Sequence, residues 1–242
     1  MLSNRLMSVQ SISISDPYWS SVKFLLRNIG SVGATPFYDD SSVARAVTNN
    51  GNARTIQTVT NPFGATTGVA YFDGSGDSAE TAASADFSFG SGDFTIDGWV
   101  MFEAFTNSRS WLVALTDGAE TIEIMVYVDN ATKKLSAFIN HSAAYQMIIT
   151  GTTTLVVATW YHFAFVRNGN IHTLYLDAVS EGSYTLSHTI TTSNLYLVLG
   201  DFLPNGHGSG NTYRLKGELF DTRVTQGIAR TITLPTEPYL RS

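Results

Sequence analysis

Residues 160–179 read WYHFAFVRNGNIHTLYLDAV. Phe163 and Phe165 recur at alternate positions before Asn168-Gly169, and Leu174 and Leu176 do so after it. Apolar residues at a period of two on both sides of an Asn-Gly pair specify an antiparallel hairpin. Strand side chains alternate between faces, and Asn-Gly accepts the positive φ of a tight turn. The period continues outward. Phe94, Ile96, Gly98, Val100 and Phe102 fall on one face of a strand, with Thr95, Asp97, Trp99, Met101 and Glu103 on the other. Ile122, Ile124, Val126 and Val128 alternate with Thr121, Glu123, Met125 and Tyr127, and SWLVALT, KLSAFIN, NLYLVLG and YRLKGELFDTRV read alike. Gly, Asn and Asp punctuate these stretches, and helical character is confined to a predicted turn at Gln226–Arg230. Many short strands at close spacing predict an all-β fold, a two-sheet antiparallel jelly-roll sandwich of about a dozen strands. Its core should take Phe94, Ile96, Val100, Phe102, Ile122, Ile124, Val126, Phe163, Phe165, Leu174 and Leu176. Trp160 shares a face with His162 and fits either side.

The 242 residues carry 14 Lys+Arg against 20 Asp+Glu, a net charge of −6, so phosphate binding and nucleic-acid partners are not expected. An apolar fraction of 43% supplies a sizeable core, and the absence of Cys removes disulfides, thiolate nucleophiles and Cys-based zinc sites. The first nineteen residues hold no apolar h-region, and no later run is long enough to span a bilayer, so neither secretion nor membrane insertion is expected. The sequons at Asn130 and Asn140 then read as chance matches. No linker or charge step divides the chain: residues 1–15 read as an arm or first strand, and 16–242 as one domain.

Enzymatic chemistry finds little footing. Glycoside hydrolysis needs two facing carboxyls. Glu120 and Glu123 are three apart, as are Glu218 and Asp221, so each pair points to opposite faces of a regular strand. His141, His162, His172, His188 and His207 show no metal-ligand spacing, although His162 and His172 lie on neighbouring strands where a zinc pair is conceivable. Serines lack the Gly-x-Ser-x-Gly elbow, and the Gly-rich pieces lack a P-loop Lys. Calcium is the one cofactor worth weighing. Asp40, Asp73 and Asp221 are candidate ligands, against the reading that Asp-Gly and Asp-Ser simply make turns. Aromatics make up 12% of the chain; stacked on sugars they would form a lectin site, packed between sheets they are core. Trp99, Trp111 and Trp160 read as strand residues, and Trp19, beside Pro17, as a partner contact.

Four ordered segments resemble one family: DPYWSSVKFLLRNIG; VAYFDGSGDSAET followed by DFSFGSGDFTIDGWVMF; TWYHFAFVRNGNIHTLYLDAV; and YRLKGELFDTRVTQGIARTITLP. Together they resemble the laminin-G-like, concanavalin A-like jelly-roll family in the form common in bacteriophage virion proteins. The resemblance runs from Asp16 to Pro235. It implies a scaffold hosting lectins, glucanases, adhesion modules and virion tiles, so the fold alone does not choose among them. Two departures stand out. Asn28-Ile29-Gly30 replaces the family's Phe-Asp-Gly, removing an Asp that commonly helps hold calcium, while Asp221 matches the closing-strand Asp. Leu176-Asp177-Ala178 stands where the family has Asp-Gly.

The resemblance implies a non-enzymatic virion component, a capsid decoration or a tail or baseplate attachment, made in the host cytoplasm. Its partners would be capsid or tail proteins, in a symmetric homo-oligomer such as a trimer. The alternative is a carbohydrate-binding, lectin-like module recognising host surface glycan. Attachment would use the arm, where Ile12 and Ile14 of SISIS share one face and Tyr18 and Trp19 add aromatic anchors. It would otherwise use the rim loop at Asn205, His207 and Asn211. SISIS also reads as the domain's own first strand.

Overall fold

The computed structural model describes residues 15–27, 32–33, 35–119, 121–142, 145–204 and 213–241, with the side chains of 141–142 and 145–146 left aside. Ile12, Ile14, Asn205, His207 and Asn211 lie outside the described residues. The described strands number fifteen: β1 (Val22–Leu26), β2 (Val47–Asn50), β3 (Arg54–Ile56), β4 (Val69–Asp73), β5 (Ser78–Thr81), β6 (Phe94–Phe102), β7 (Arg109–Thr116), β8 (Ile122–Asp129), β9 (Lys134–Ser142), β10 (Tyr145–Thr154), β11 (Trp160–Asn168), β12 (Ile171–Leu176), β13 (Val179–Thr185), β14 (Tyr196–Leu199) and β15 (Lys216–Gln226). Two one-turn 3-10 segments, Trp19–Ser21 and Ala85–Phe87, are the only described helix.

The strands form two antiparallel sheets. One runs β13-β12-β11-β6-β15-β4-β3, with β1 also paired to β15; the other runs β10-β9-β8-β7-β14-β5-β2. The alternation in the sequence is the reason. Phe94, Ile96, Val100, Phe102, Ile124, Val126, Phe163, Phe165, Leu174 and Leu176 are all buried in one inter-sheet core. Position 98 shares that face by parity and is glycine because a Cβ there would stand 2.8 Å from Thr222 Cα. Glu181 of the edge strand β13 helps close the seam between sheets, its carboxylate accepting from the backbone N–H and hydroxyl groups of both Thr152 and Thr153 on β10.

Three sequence expectations are corrected. Ile122 packs on the outer face of the seven-stranded sheet, because the register slips between Leu115 and Thr116 and breaks the parity between Ile122 and Ile124. The β11–β12 turn is Gly169-Asn170, since Asn168 pairs with Ile171 and the positive φ of 59° belongs to Gly169. Gln226–Arg230 forms no helical turn: Gln226 ends β15, and Arg230 N–H is taken by Thr95 Oγ1 at 2.9 Å instead.

Candidate functional site

The outer face of the seven-stranded sheet is aromatic. Trp111 on β7, Met125 and Tyr127 on β8, Phe138 on β9 and Val198 on β14 form a second apolar cluster, with Ile122, Tyr196 and Phe202 packed against it. A register slip between Trp111 and Val113 places both Trp111 and Ala114 outward despite their odd spacing. The Trp111 ring lies 4.6 Å from that of Phe202 and 5.9 Å from Tyr213, with which it is stacked at 30°. Arg109 extends the array: its guanidinium sits 5.2 Å from the Tyr127 ring and 5.6 Å from the Tyr213 ring. Among the described residues its side chain makes no ion pair within 4 Å and no hydrogen bond, so its donors remain available beside the stack.

Next to this array an open cleft of about 470 Å³ is lined by Phe105, Asn107, Arg109, Asp129, Asn130 and Tyr213, among others. Its floor is rigid. Asn107 Nδ2 donates to Arg214 O at 2.9 Å, Asn130 Nδ2 donates to Asn107 O at 2.9 Å, and Ser110 Oγ donates to Asn130 Oδ1 at 3.1 Å. Asn130, the residue of one sequon, is thus buried and engaged at both side-chain atoms. Asp129 pairs across the strands with Arg109. Hydrogen bonding from Thr132 N–H, aided by the Arg109 charge, holds its carboxyl below the usual range. Of the array's rings only Tyr213 is exposed and lines the cleft, and one aromatic face beside a guanidinium and a carboxylate offers the groups that recognise a sugar ring and its hydroxyls. Tyr213 and Arg109 were not singled out in the sequence; the available signal was Tyr213's position directly after the Asn205–Asn211 loop.

Two of the calcium candidates, Asp40 and Asp221, meet at a cation the chain itself supplies, the Arg27 guanidinium, at 3.9 and 3.2 Å. Asp221 is fully buried, ion-paired to Arg27 Nε at 3.2 Å and accepting Tyr239 N–H at 2.8 Å. Asp40 pairs with Arg241, and Asp73 accepts Ser75 N–H at 2.7 Å within its own turn. Asp73 faces Lys216, five residues along β15 from Asp221. His162 and His172 cannot share a metal, since His162 packs on Trp99 outside the sheet while His172 is inside, against Phe94 and Phe165. Glu218 and Asp221 do not obey a regular strand either: Asp221, at φ 47°, belongs to a bulge between Phe220 and Arg223. Trp19 packs half-buried on Val22, Leu25 and Tyr239, and Tyr18 remains 43% exposed.

Residues 73–228 match a laminin G family model described as the concanavalin A-like lectin/glucanases superfamily. The chain belongs to that superfamily. Among solved structures similar in fold, the binding domain of Paraclostridial Mosquitocidal Protein 1 matches with a TM-score of 0.65 at 13% identity, over 88% of this chain and 51% of that one. Domain 4 of AbnA, a GH43 extracellular arabinanase from Geobacillus stearothermophilus, solved with arabinotriose, gives 0.56 at 14% identity over 79% and 88%. The botulinum neurotoxin serotype C1 binding domain gives 0.61 at 10% identity over 87% and 50%. The chain therefore spans about half the length of the toxin binding domains and most of the arabinanase domain. At these identities the superfamily likeness is one of fold. No curated protein matches by sequence.

Proposed function

We propose that the protein is a non-enzymatic carbohydrate-binding module whose site is the cleft between Arg109, Asp129 and Tyr213. The observation that carries this reading is the exposed Tyr213 ring, backed by the buried Trp111 and flanked by the Arg109 guanidinium, lining an open cleft with Asp129. The fold neighbours support it. The arabinanase domain was solved with arabinotriose bound, and cell entry of botulinum neurotoxin type C depends on interaction with two ganglioside molecules. Calorimetric titration with arabinotriose, followed by a glycan array, tests the reading. Tyr213→Ala should weaken binding at least ten-fold, about 1.4 kcal/mol, in line with loss of one stacking face. Absence of binding to every glycan on the array refutes it.

A virion-attachment role, with capsid or tail proteins as partners and a trimeric or other homo-oligomeric assembly, is supported by the sequence resemblance. One structural observation favours it: the edge strand β13 leaves Val179 and Tyr184 exposed, where another chain's strand could pair. Mass spectrometry of purified phage particles tests this role, and absence of the protein from them removes it.

A further inference from the structure

Positive charge is scarce in this acidic chain, and most of it is already engaged. Arg223 grips Asp97 through two bonds of 3.0 and 2.6 Å and reaches Asp16 at 3.3 Å, while Arg230 holds Asp16 through bonds of 3.1 and 2.8 Å. Tyr239 Oη joins that network, 3.1 Å from Asp97 Oδ2. Arg27 pairs with Asp221, Arg214 with Asp201, Arg45 with Asp86 and Arg241 with Asp40. Lys23, Arg54 and Arg167 donate to backbone carbonyls. Among the described residues this leaves Arg109, Lys133, Lys134 and Lys216 with neither an ion pair within 4 Å nor a side-chain hydrogen bond. Lys216 stands on the eight-stranded sheet, beside Asp73 of β4 and against Glu103. The other three gather at the Tyr213 cleft.

Arg109, Asp129 and Lys134 are cross-strand neighbours on β7, β8 and β9. Lys133 lies in the turn between β8 and β9, its Nζ 5.7 Å from the ring of Phe105 on the cleft wall. The segments that supply the cleft and its rim, 104–116, 129–140 and 202–213, contain one acidic residue, Asp129. Of the acids that flank them, Asp201 is paired with Arg214, and Glu103 meets Tyr71 Oη on the other sheet. Asp129 is committed to its own turn, where its carboxylate accepts the N–H and the Oγ–H of Thr132 at 2.9 and 3.0 Å. Three cations against one anion leave the cleft positive in a chain whose net charge is −6. The guanidinium is set to use that field. It lies over the rings of Tyr127 and Tyr213, and its N–H bonds lie in its own plane, so the donors emerge at the edge the rings leave open. A carboxylate takes two such N–H groups side by side.

We propose that the cleft selects acidic glycans: a sugar ring stacks on Tyr213 and its own carboxylate accepts from the Arg109 guanidinium. Lys133 and Lys134 add attraction at longer range. The inference rests on the carbohydrate reading of this cleft and narrows it to sugars that carry a carboxylate.

The test titrates the full chain calorimetrically with D-glucuronate, D-galacturonate and N-acetylneuraminate, and with the methyl ester of each, which keeps the ring and removes the charge. At low salt at least one acid should bind about ten-fold tighter than its own ester, and the ratio should shrink as salt rises to about 0.5 M. Arg109→Gln should bring the ratio below about two-fold, and Arg109→Lys should restore part of it, because the charge returns without the fork. Lys133→Gln, at an exposed turn position, should lower the ratio by about two-fold. Equal affinity for acids and esters overturns this inference and leaves carbohydrate binding standing, as does binding of arabinotriose with no response to any acid. An acid preference that Arg109→Gln leaves at full size also overturns it. Binding of none of the six probes, together with a blank glycan array, overturns both readings.

Discussion

Glu218 gives the sharpest test of the packing. It stands on β15 opposite Tyr71 and Met101, has no exposed surface, and neither carboxylate oxygen meets a donor among the described residues. Burial, reinforced by the negative charge of Glu103, lifts its pKa from the ordinary 4.5 to about 8. The folded chain therefore keeps a proton that the unfolded chain releases above about 4.5. Stability from this group is complete below that pH and drains away as pH rises towards 8. The gap between the two values corresponds to roughly 5 kcal/mol, of which about 3 should be gone at pH 7. Glu218→Gln keeps the shape and removes the titration. Urea unfolding of both proteins, followed by tryptophan fluorescence from pH 4 to 9, isolates the effect. At pH 4 both side chains are neutral, so any difference there measures packing alone. The glutamine variant should then gain steadily on the native chain, by about 1.4 kcal/mol per pH unit between 5 and 8. Parallel stability curves for the two proteins would show that Glu218 ionises normally in the fold and would refute the argument.

Other perturbations follow from single positions. Ala178 sits at φ 63° in the Asp177-Ala178 turn between β12 and β13, so Ala178→Gly should relieve about 1 kcal/mol and raise Tm by about 2–4 °C in a thermal melt. Phe165, wholly buried against Phe94 and His172, should cost about 3–5 kcal/mol in urea unfolding when replaced by Ala; a loss below 1 would place it outside the core. Because Asp221 is neutralised by Arg27 and Asp73 is spent in its own turn, Tm should be the same in millimolar calcium and in EDTA. A calcium-dependent rise in a scanning calorimeter would restore a metal site.

The sequence by itself determined the class of fold and most of its inner face. Alternation at a period of two is a local property, so Phe94, Ile96, Phe163 and Leu174 could be assigned to one side without knowing what they would meet. The same logic failed where the ladder slips: Ile122 turned outward, Asp221 entered a bulge, and Trp111 shared a face with Ala114, because one extra residue reverses the parity of everything beyond it. Turn chemistry was legible to within one residue at Gly169. The candidate sites were not legible. Arg109, Trp111 and Tyr213 come from β7 and from a segment about a hundred residues later, and Asp16, Asp97, Arg223 and Tyr239 are drawn from the middle and both ends of the chain. Which polar groups pair, and which acceptor is left without a donor, depends on distances between strands far apart in sequence. Only the closed sandwich sets those distances.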